Sequence, residues 1–167
     1  MSTNYHPLTK KLVDLISKRG FWFETFEHEP VKTSEEASKV RSGYSISEGA
    51  KALIMRIKTA QKRDFVMLVV PGDARFDSEK LKAVLTTKDI RFATSDEIDK
   101  ITSGVKIGGI PPFGNLFGLV VYADENIFAR EKIIFNAGDR RFSIAMRSSD
   151  YKTIVEPKVV SVVNPHS

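Results

Sequence analysis

The sequence contains no cysteine among its 167 residues. This absence excludes a disulfide-stapled scaffold and a cysteine-based zinc site, and it suits a reducing compartment such as the cytoplasm. No apolar run approaches the roughly 20 residues that a membrane-spanning helix needs. The polar start of the chain, residues 1–11, also lacks the apolar centre of a signal peptide. We therefore expect a soluble, cytoplasmic protein without a membrane partner.

Motifs for metal, cofactor and covalent chemistry are missing as well. The three histidines, His6, His28 and His166, are far apart and show no metal-ligand spacing. The chain has neither the GxGxxG pattern of dinucleotide-binding loops nor the GxxxxGK[ST] pattern of phosphate-binding loops. It also lacks the GxSxG turn of serine hydrolases. We therefore expect no metal, no cofactor and no covalent intermediate.

The length and composition that are present fit one domain over residues 1–167. An apolar content of 41% is enough to bury a substantial core without covalent staples. The chain carries 26 Lys and Arg against 21 Asp and Glu, a formal net charge of +5. This excess favours an anionic partner such as a nucleic acid. The basic residues are scattered among acids, however, so an ordinary solvated surface explains the charge better than a dedicated binding surface does.

Hydrophobic periodicity predicts both helices and strands. Apolar residues recur at helical spacing from Leu8 to Ile16, and Gly20 is placed to end that helix. Further helices are predicted at residues 34–41, 77–85 and 148–154 and after the capping residues Thr94 and Glu97. Strands are predicted at 21–29, 51–57, 65–71, 90–94, 117–122, 132–136, 142–146 and 159–163. The mixed order of helices and strands predicts an α+β domain with a mixed sheet.

Two features of the chain have the residue types of a binding site. Strand alternation places Lys51 on the apolar side of its strand, where an ammonium is costly unless it reaches a cleft and an anion. The same lysine could instead extend from the strand end into water. Residues 103–115, SGVKIGGIPPFGN, form a shaped loop that is either a bend between strands or a binding wall. His28 is open to a structural role or a role as a base.

Six successive motifs resemble those of the YbaK family of aminoacyl-tRNA editing domains. They are FEHEP at 26–30, TSEEA at 33–37, GAKALI at 49–54, VVPGDARFDSEKL at 69–81, GVKIGGIPPFGN at 104–115 and FNAGDRRFSI at 135–144. The family includes the insertion domain of bacterial prolyl-tRNA synthetases and free-standing deacylases. The resemblance implies a mixed sheet partly rolled into a barrel and flanked by helices. It also implies hydrolysis of the ester between a wrong amino acid and the 3′-terminal adenosine of a tRNA.

The resemblance assigns roles to the glycine loop and to the strand lysine. Gly108 through Pro112 follow the family's GxxxP pattern, which lines the aminoacyl pocket. The amides of Gly109 and Ile110 would stabilise the developing oxyanion, while Pro111 and Pro112 have no N–H and would shape and crowd the pocket. Lys51 matches the lysine that contacts the terminal nucleotide and its phosphate. The implied partner is the 3′ CCA end of aminoacyl-tRNA rather than DNA, with an aminoacyl-tRNA synthetase as a candidate second partner.

Some positions depart from the family pattern near the pocket. Other members have tyrosine at the position of Phe26, KTL in place of 51–53 and an acidic residue at the position of Ser143. The resemblance assigns Phe26, His28 and Ser143 to substrate binding. These departures leave alanine, cysteine, serine and threonine as candidates for the removed amino acid. They also leave an alternative, in which the chain is a tRNA-binding adaptor that has lost turnover.

Overall fold

The computed structural model describes residues 4–30, 33–61 and 63–164. Within these ranges it contains five α-helices, several single 3₁₀ turns and eight strands. The helices are α1 (Pro7–Lys18), α2 (Ser34–Val40), α3 (Ser78–Leu85), α4 (Ser95–Thr102) and α5 (Ser148–Val155). None of the described helices is long and apolar enough to cross a membrane.

The helix ends follow the predicted capping residues. Helix α1 ends before Gly20, which has a φ of +71° and lets the chain turn away. The N-terminus of α2 is capped by Thr33, whose hydroxyl accepts from the Glu36 amide at 3.0 Å. Helix α4 begins with a reciprocal capping box between Thr94 and Glu97. The predicted helix starts are therefore confirmed.

The strands form two separate sheets. They are β1 (Phe23–Glu27), β2 (Ala50–Lys58), β3 (Arg63–Pro71), β4 (Asp89–Phe92), β5 (Val120–Asp124), β6 (Lys132–Asp139), β7 (Phe142–Arg147) and β8 (Lys158–Val160). One sheet is antiparallel with the order β1-β7-β6. The other has the order β4-β2-β3-β5-β8 and mixes antiparallel and parallel pairs. Strand β3 lies at its centre, as its continuous apolar run predicted.

The expected barrel is not present, and this part of the prediction is wrong. The five-stranded sheet has two open edges, formed by the four-residue β4 and the three-residue β8. Between the sheets, the described residues make one isolated backbone bridge, from Gly49 to Ile134. A single bridge does not continue the hydrogen-bond ladder around a closed surface. The α+β class with a mixed sheet is confirmed, whereas the barrel is replaced by two sheets.

Two apolar clusters hold the elements together. The larger cluster joins α1, α4 and α5 to both sheets and includes the fully buried Leu12, Phe113, Phe135 and Tyr151. The smaller cluster lies between the other face of the five-stranded sheet and α3 and includes Met55 and Leu81. Burial on both faces explains why β3 is apolar along most of its length.

Candidate active site

A row of side chains crosses the three-stranded sheet at one level. Phe26 on β1 lies opposite Ser143 on β7, and Ser143 lies opposite Asn136 on β6. Directly opposite residues in antiparallel strands point to the same face of the sheet. Ser143 is fully buried, and the ring of Phe26 meets the ring of Tyr44 edge to face at 5.8 Å. The structure thus brings the predicted Phe26 and Ser143 together.

Hydrogen bonds connect this row to the glycine loop. His28 Nε2 lies 2.8 Å from Ser143 Oγ, while His28 Nδ1 donates to the Glu29 carbonyl at 2.9 Å. Ser143 Oγ donates to Asn136 Oδ1 at 3.1 Å, and Asn136 Nδ2 donates to the Gly108 carbonyl at 2.6 Å. A continuous polar network therefore runs from the end of β1 to the loop.

Arg41 joins the same network from the end of α2. Its Nε donates to Ser143 Oγ at 3.1 Å, and its Nη2 donates to Asn136 Oδ1 at 3.0 Å. The residue is only 7% exposed, and burial lowers the pKa of its guanidinium to about 10. At neutral pH the side chain therefore remains a cation. Among the described residues no carboxylate pairs with it, so this positive charge is buried against neutral partners.

Lys51 lies on the five-stranded sheet, on the side that alternation predicted. Leu53, Met55 and Ile57 on the same face belong to the smaller apolar cluster. Lys51 is half-buried, and its Nζ donates to the Ala74 carbonyl at 3.1 Å. Burial lowers the pKa of Lys51 from its ordinary value, with Asp73 opposing and Arg75 adding to that shift.

Arg41 and Lys51 line one small cavity between α2, the 3₁₀ turn at Ile46–Glu48 and β2. Its volume is about 60 Å³, and its other lining residues are uncharged, among them Ser38, Gly49 and Gly72. Arg41 therefore lies between Lys51 and the glycine loop, the two features that the sequence predicted. Its Nη2 bonds Asn136 in the network that reaches the loop, and its side chain lines the cavity that Lys51 also lines.

The backbone of the glycine loop forms a tight 3₁₀ turn at Ile107–Gly109. The Gly109 amide donates to the Lys106 carbonyl at 2.8 Å, which occupies its hydrogen. The Ile110 amide has only a long contact of 3.5 Å to the Ile107 carbonyl. The resemblance gives the amides of Gly109 and Ile110 the same role, as donors to the oxyanion. They differ in the structure, because only the amide hydrogen of Ile110 is weakly bound.

A hydrogen bond from the core fixes the proline end of the loop. Gly108 is exposed, whereas Pro111 and Pro112 are buried. The Pro112 carbonyl accepts from the fully buried Tyr151 hydroxyl at 2.6 Å. Burial raises the pKa of Tyr151, so its hydroxyl keeps its proton for this bond. The proline pair is therefore held by the core.

Among the described residues, no three His, Asp or Glu side chains lie close enough to hold a metal ion. His6 caps α1 by accepting from the Leu8 amide at 3.0 Å and bonds the Ser103 carbonyl with its other ring nitrogen. His166 lies outside the described residues. The site residues that the sequence did not indicate are Arg41, Asn136 and Tyr151, and only Asn136 lies within a recognised motif.

Comparison with known proteins shows which family the chain resembles. The model of the aminoacyl-tRNA editing domain family matches residues 28–154. The chain is 31% identical over 153 residues to the multifunctional Ser/Thr-tRNA deacylase ProXp-y of Escherichia coli (strain K12), covering 91% of this chain and 90% of that protein. It is 25% identical to the prolyl-tRNA editing protein ProX of Acetoanaerobium sticklandii, covering 80% and 82% of the two chains.

The fold has solved counterparts too. A crystal structure described as a candidate trans-editing enzyme for prolyl tRNA synthetase superposes with a TM-score of 0.80, at 21% identity, and covers 97% of this chain and 100% of that one. The chain belongs to the aminoacyl-tRNA editing domain family. The prediction of an aminoacyl-tRNA editing enzyme, made from the six motifs, is therefore confirmed.

Proposed function

We propose that this protein hydrolyses the ester between a small amino acid and the 3′-terminal adenosine of a mischarged tRNA. The observation that carries the proposal is the network in which Arg41 connects the Lys51 cavity to the Gly108 carbonyl. This network joins a cavity lined by two cationic residues to the loop that carries the weakly bound Ile110 amide. A nucleotide end and an ester carbonyl need these two features side by side.

In this proposal the Ile110 amide donates to the oxyanion that forms when water attacks the ester carbonyl. Its hydrogen has only the 3.5 Å contact within the loop, so the substrate oxygen does not have to displace a strong bond. Gly109 contributes by keeping the turn tight rather than by its amide, which already donates to Lys106. Pro111 and Pro112 cannot donate, and they fix the direction of the chain that follows.

Lys51 supplies the contact to the terminal nucleotide and its phosphate at the CCA end. Its Nζ uses one of three protons on the Ala74 carbonyl, which leaves two for substrate oxygens. The tRNA itself would be selected by the surface of this protein or by an aminoacyl-tRNA synthetase that works with it in the cytoplasm. A net charge of +5 supports binding to the tRNA backbone.

Serine and threonine are the first amino acids to test, ahead of alanine and cysteine. The relative with 31% identity is named a Ser/Thr-tRNA deacylase. In this chain, Phe26, His28 and Ser143 form the pocket wall of the proposal, and the contact between His28 Nε2 and Ser143 Oγ makes part of that wall polar. A site with polar groups can recognise a substrate hydroxyl far better than a purely apolar pocket can.

Two measurements test the proposal. The first is a deacylation panel with tRNAs charged with serine, threonine, alanine, cysteine and proline, and release of at least one is expected. The second compares Ile110→Pro with Ile110→Ala. Ile110 has a φ of −67°, which is the φ that proline adopts, so Ile110→Pro removes the N–H. Ile110→Ala also shortens the side chain but keeps the N–H. We expect Ile110→Pro to be about 100- to 1,000-fold slower in kcat than Ile110→Ala.

The outcomes separate an enzyme from an adaptor. No release from any tRNA, at protein concentrations above that of the tRNA, would favour the non-catalytic adaptor. Equal kcat values for the two Ile110 variants, both shown to be folded by their melting curves, would remove the Ile110 amide from the mechanism. A non-hydrolysable aminoacyl-adenosine analogue should bind both variants with similar affinity, because the nucleotide contacts do not involve this amide.

A further inference from the structure

Arg41 carries a charge that the fold does not neutralise. Its described hydrogen-bond partners, Ser143 and Asn136, are both neutral, and the residue is only 7% exposed. A buried cation without an anionic partner is strongly unfavourable. The guanidinium therefore needs an explanation beyond its bonds to this network.

The third nitrogen of the guanidinium lies at the lysine cavity. Within the described part of the chain, Nη1 of Arg41 makes no hydrogen bond, in contrast to Nε and Nη2. Gly49 lines the same cavity, and a Cβ atom built on it would lie 3.6 Å from Nη1 and 3.9 Å from the Gly72 Cα. Because residue 49 is a glycine, no side chain occupies this space next to Nη1.

The cavity has the size and charge for one small anionic group. Its two charged lining residues, Arg41 and Lys51, are both cations. Its volume of about 60 Å³ equals the liquid volume of about two water molecules at roughly 30 Å³ each. A space of this size suits a single phosphate or carboxylate group. A guanidinium and an ammonium are both cations that bind phosphate well, and the residues that carry them here both line the cavity.

We infer that Arg41 is a second cationic substrate ligand, whose Nη1 binds the phosphate of the terminal tRNA nucleotide together with Lys51. This inference rests on the proposed function for the identity of the substrate. The Arg41 side chain then has two functions. Its Nε and Nη2 donate hydrogen bonds to Ser143 and Asn136, and its Nη1 binds the anion. Phosphate binding would then be connected through Asn136 to the Gly108 end of the loop.

The test uses adenosine 5′-monophosphate as the probe, with adenosine and free serine as companion ligands. Nuclear magnetic resonance titration of the full chain should show the Gly49 and Gly72 amides shifting with the nucleotide and not with adenosine. We expect Arg41→Gln to weaken nucleotide binding about tenfold or more and Arg41→Lys to retain it within about threefold. Lys39→Gln, which removes an exposed charge from the same helix, should bind like the parent.

Each outcome decides for or against the inference. Parental nucleotide affinity in a folded Arg41→Gln protein would overturn it. Unshifted Gly49 and Gly72 amides in the parent would overturn it even if Arg41→Gln does not fold. Binding of serine instead of the nucleotide would show a carboxylate site and overturn the phosphate assignment.

Deacylation kinetics keep this inference distinct from the proposed function. Arg41→Lys should change KM for charged tRNA less than Arg41→Gln does, since it keeps the charge. A parent that binds the nucleotide through Arg41 but deacylates no tRNA would refute the proposed function alone. A protein that deacylates tRNA with an unchanged KM in Arg41→Gln would refute the role of Arg41 alone.

Discussion

Alanine should be tolerated at Gly108 and damaging at Gly109, although the two glycines are neighbours in one turn. A Cβ atom at Gly109 would lie 3.1 Å from both the Cα and the N of Asp139 and 3.2 Å from the carbonyl carbon of Gly138. All three atoms belong to the backbone of β6. At Gly108 the Cβ would lie 2.6 Å from Cδ of Arg140, a flexible side chain that can rotate away.

The size of the expected loss of stability depends on which atoms must move. At Gly109 the loop or β6 must shift by a few tenths of an ångström, and overpacking of this kind costs about 1–3 kcal/mol. In a chain of this size that corresponds to a fall in melting temperature of about 2–12 °C. At Gly108 the change should stay within about 0.5 kcal/mol, as for most surface substitutions. The shift should also move the Ile110 amide and slow deacylation by about tenfold.

Thermal unfolding followed by circular dichroism and single-turnover deacylation at 25 °C measure the two effects. Gly109→Ala should lose both stability and rate, while Gly108→Ala should match the parent in both. Similar melting temperatures for the two variants would refute the argument that Gly109 sets the distance between the loop and β6. A stable Gly109→Ala protein with the parental rate would remove this contact from the positioning of the loop.

Three further predictions concern single side chains. Lys51→Ala should fold normally and lose most deacylation, with KM for charged tRNA raised about tenfold or more because a charged contact is lost. Tyr151→Phe should lower stability by about 1–3 kcal/mol and slow deacylation, because the Pro112 carbonyl loses its partner. Thr87→Val, which also removes a hydroxyl bonded to a backbone carbonyl at 2.6 Å, should lose stability alone. Finally, hydrogen bonds from Arg91, at 2.8 and 3.0 Å, lower the pKa of Glu97 to about 2. This carboxylate stabilises the fold above its ordinary pKa of about 4.3 and loses that effect as pH falls toward 2, so parent and Glu97→Gln melting temperatures should differ at pH 7 and converge in acid.

Local chemistry explains why the elements could be predicted. The capping residues Thr33 and Thr94 act within one helical turn, so their effect is visible in a few letters of sequence. Strand β3 is apolar because both of its faces are covered, and this too is a local pattern. The side of β2 on which Lys51 lies follows from alternation alone.

The connections between elements could not be predicted in the same way. Arg41 is buried because Ser143 and Asn136 meet it from strands about 100 residues away, and nothing near Arg41 in the sequence indicates this. Tyr151 reaches the Pro112 carbonyl from a different helix, so the hydrogen bond depends on packing rather than on a motif. The barrel prediction failed for the same reason, since closure depends on pairing between distant strands.

Two carbonyls of the glycine loop, at either end of its segment 108–112, are each bound by a side chain from another element. Asn136 binds the Gly108 carbonyl and Tyr151 binds the Pro112 carbonyl, so the segment between them is fixed before any ligand arrives. The entropy of ordering this segment is then lost once, during folding, and not again in each catalytic cycle. In the proposed role as a wall of the aminoacyl pocket, such a preorganised loop would need no closing motion, and it would reject larger amino acids by a rigid shape rather than by an incomplete conformational change.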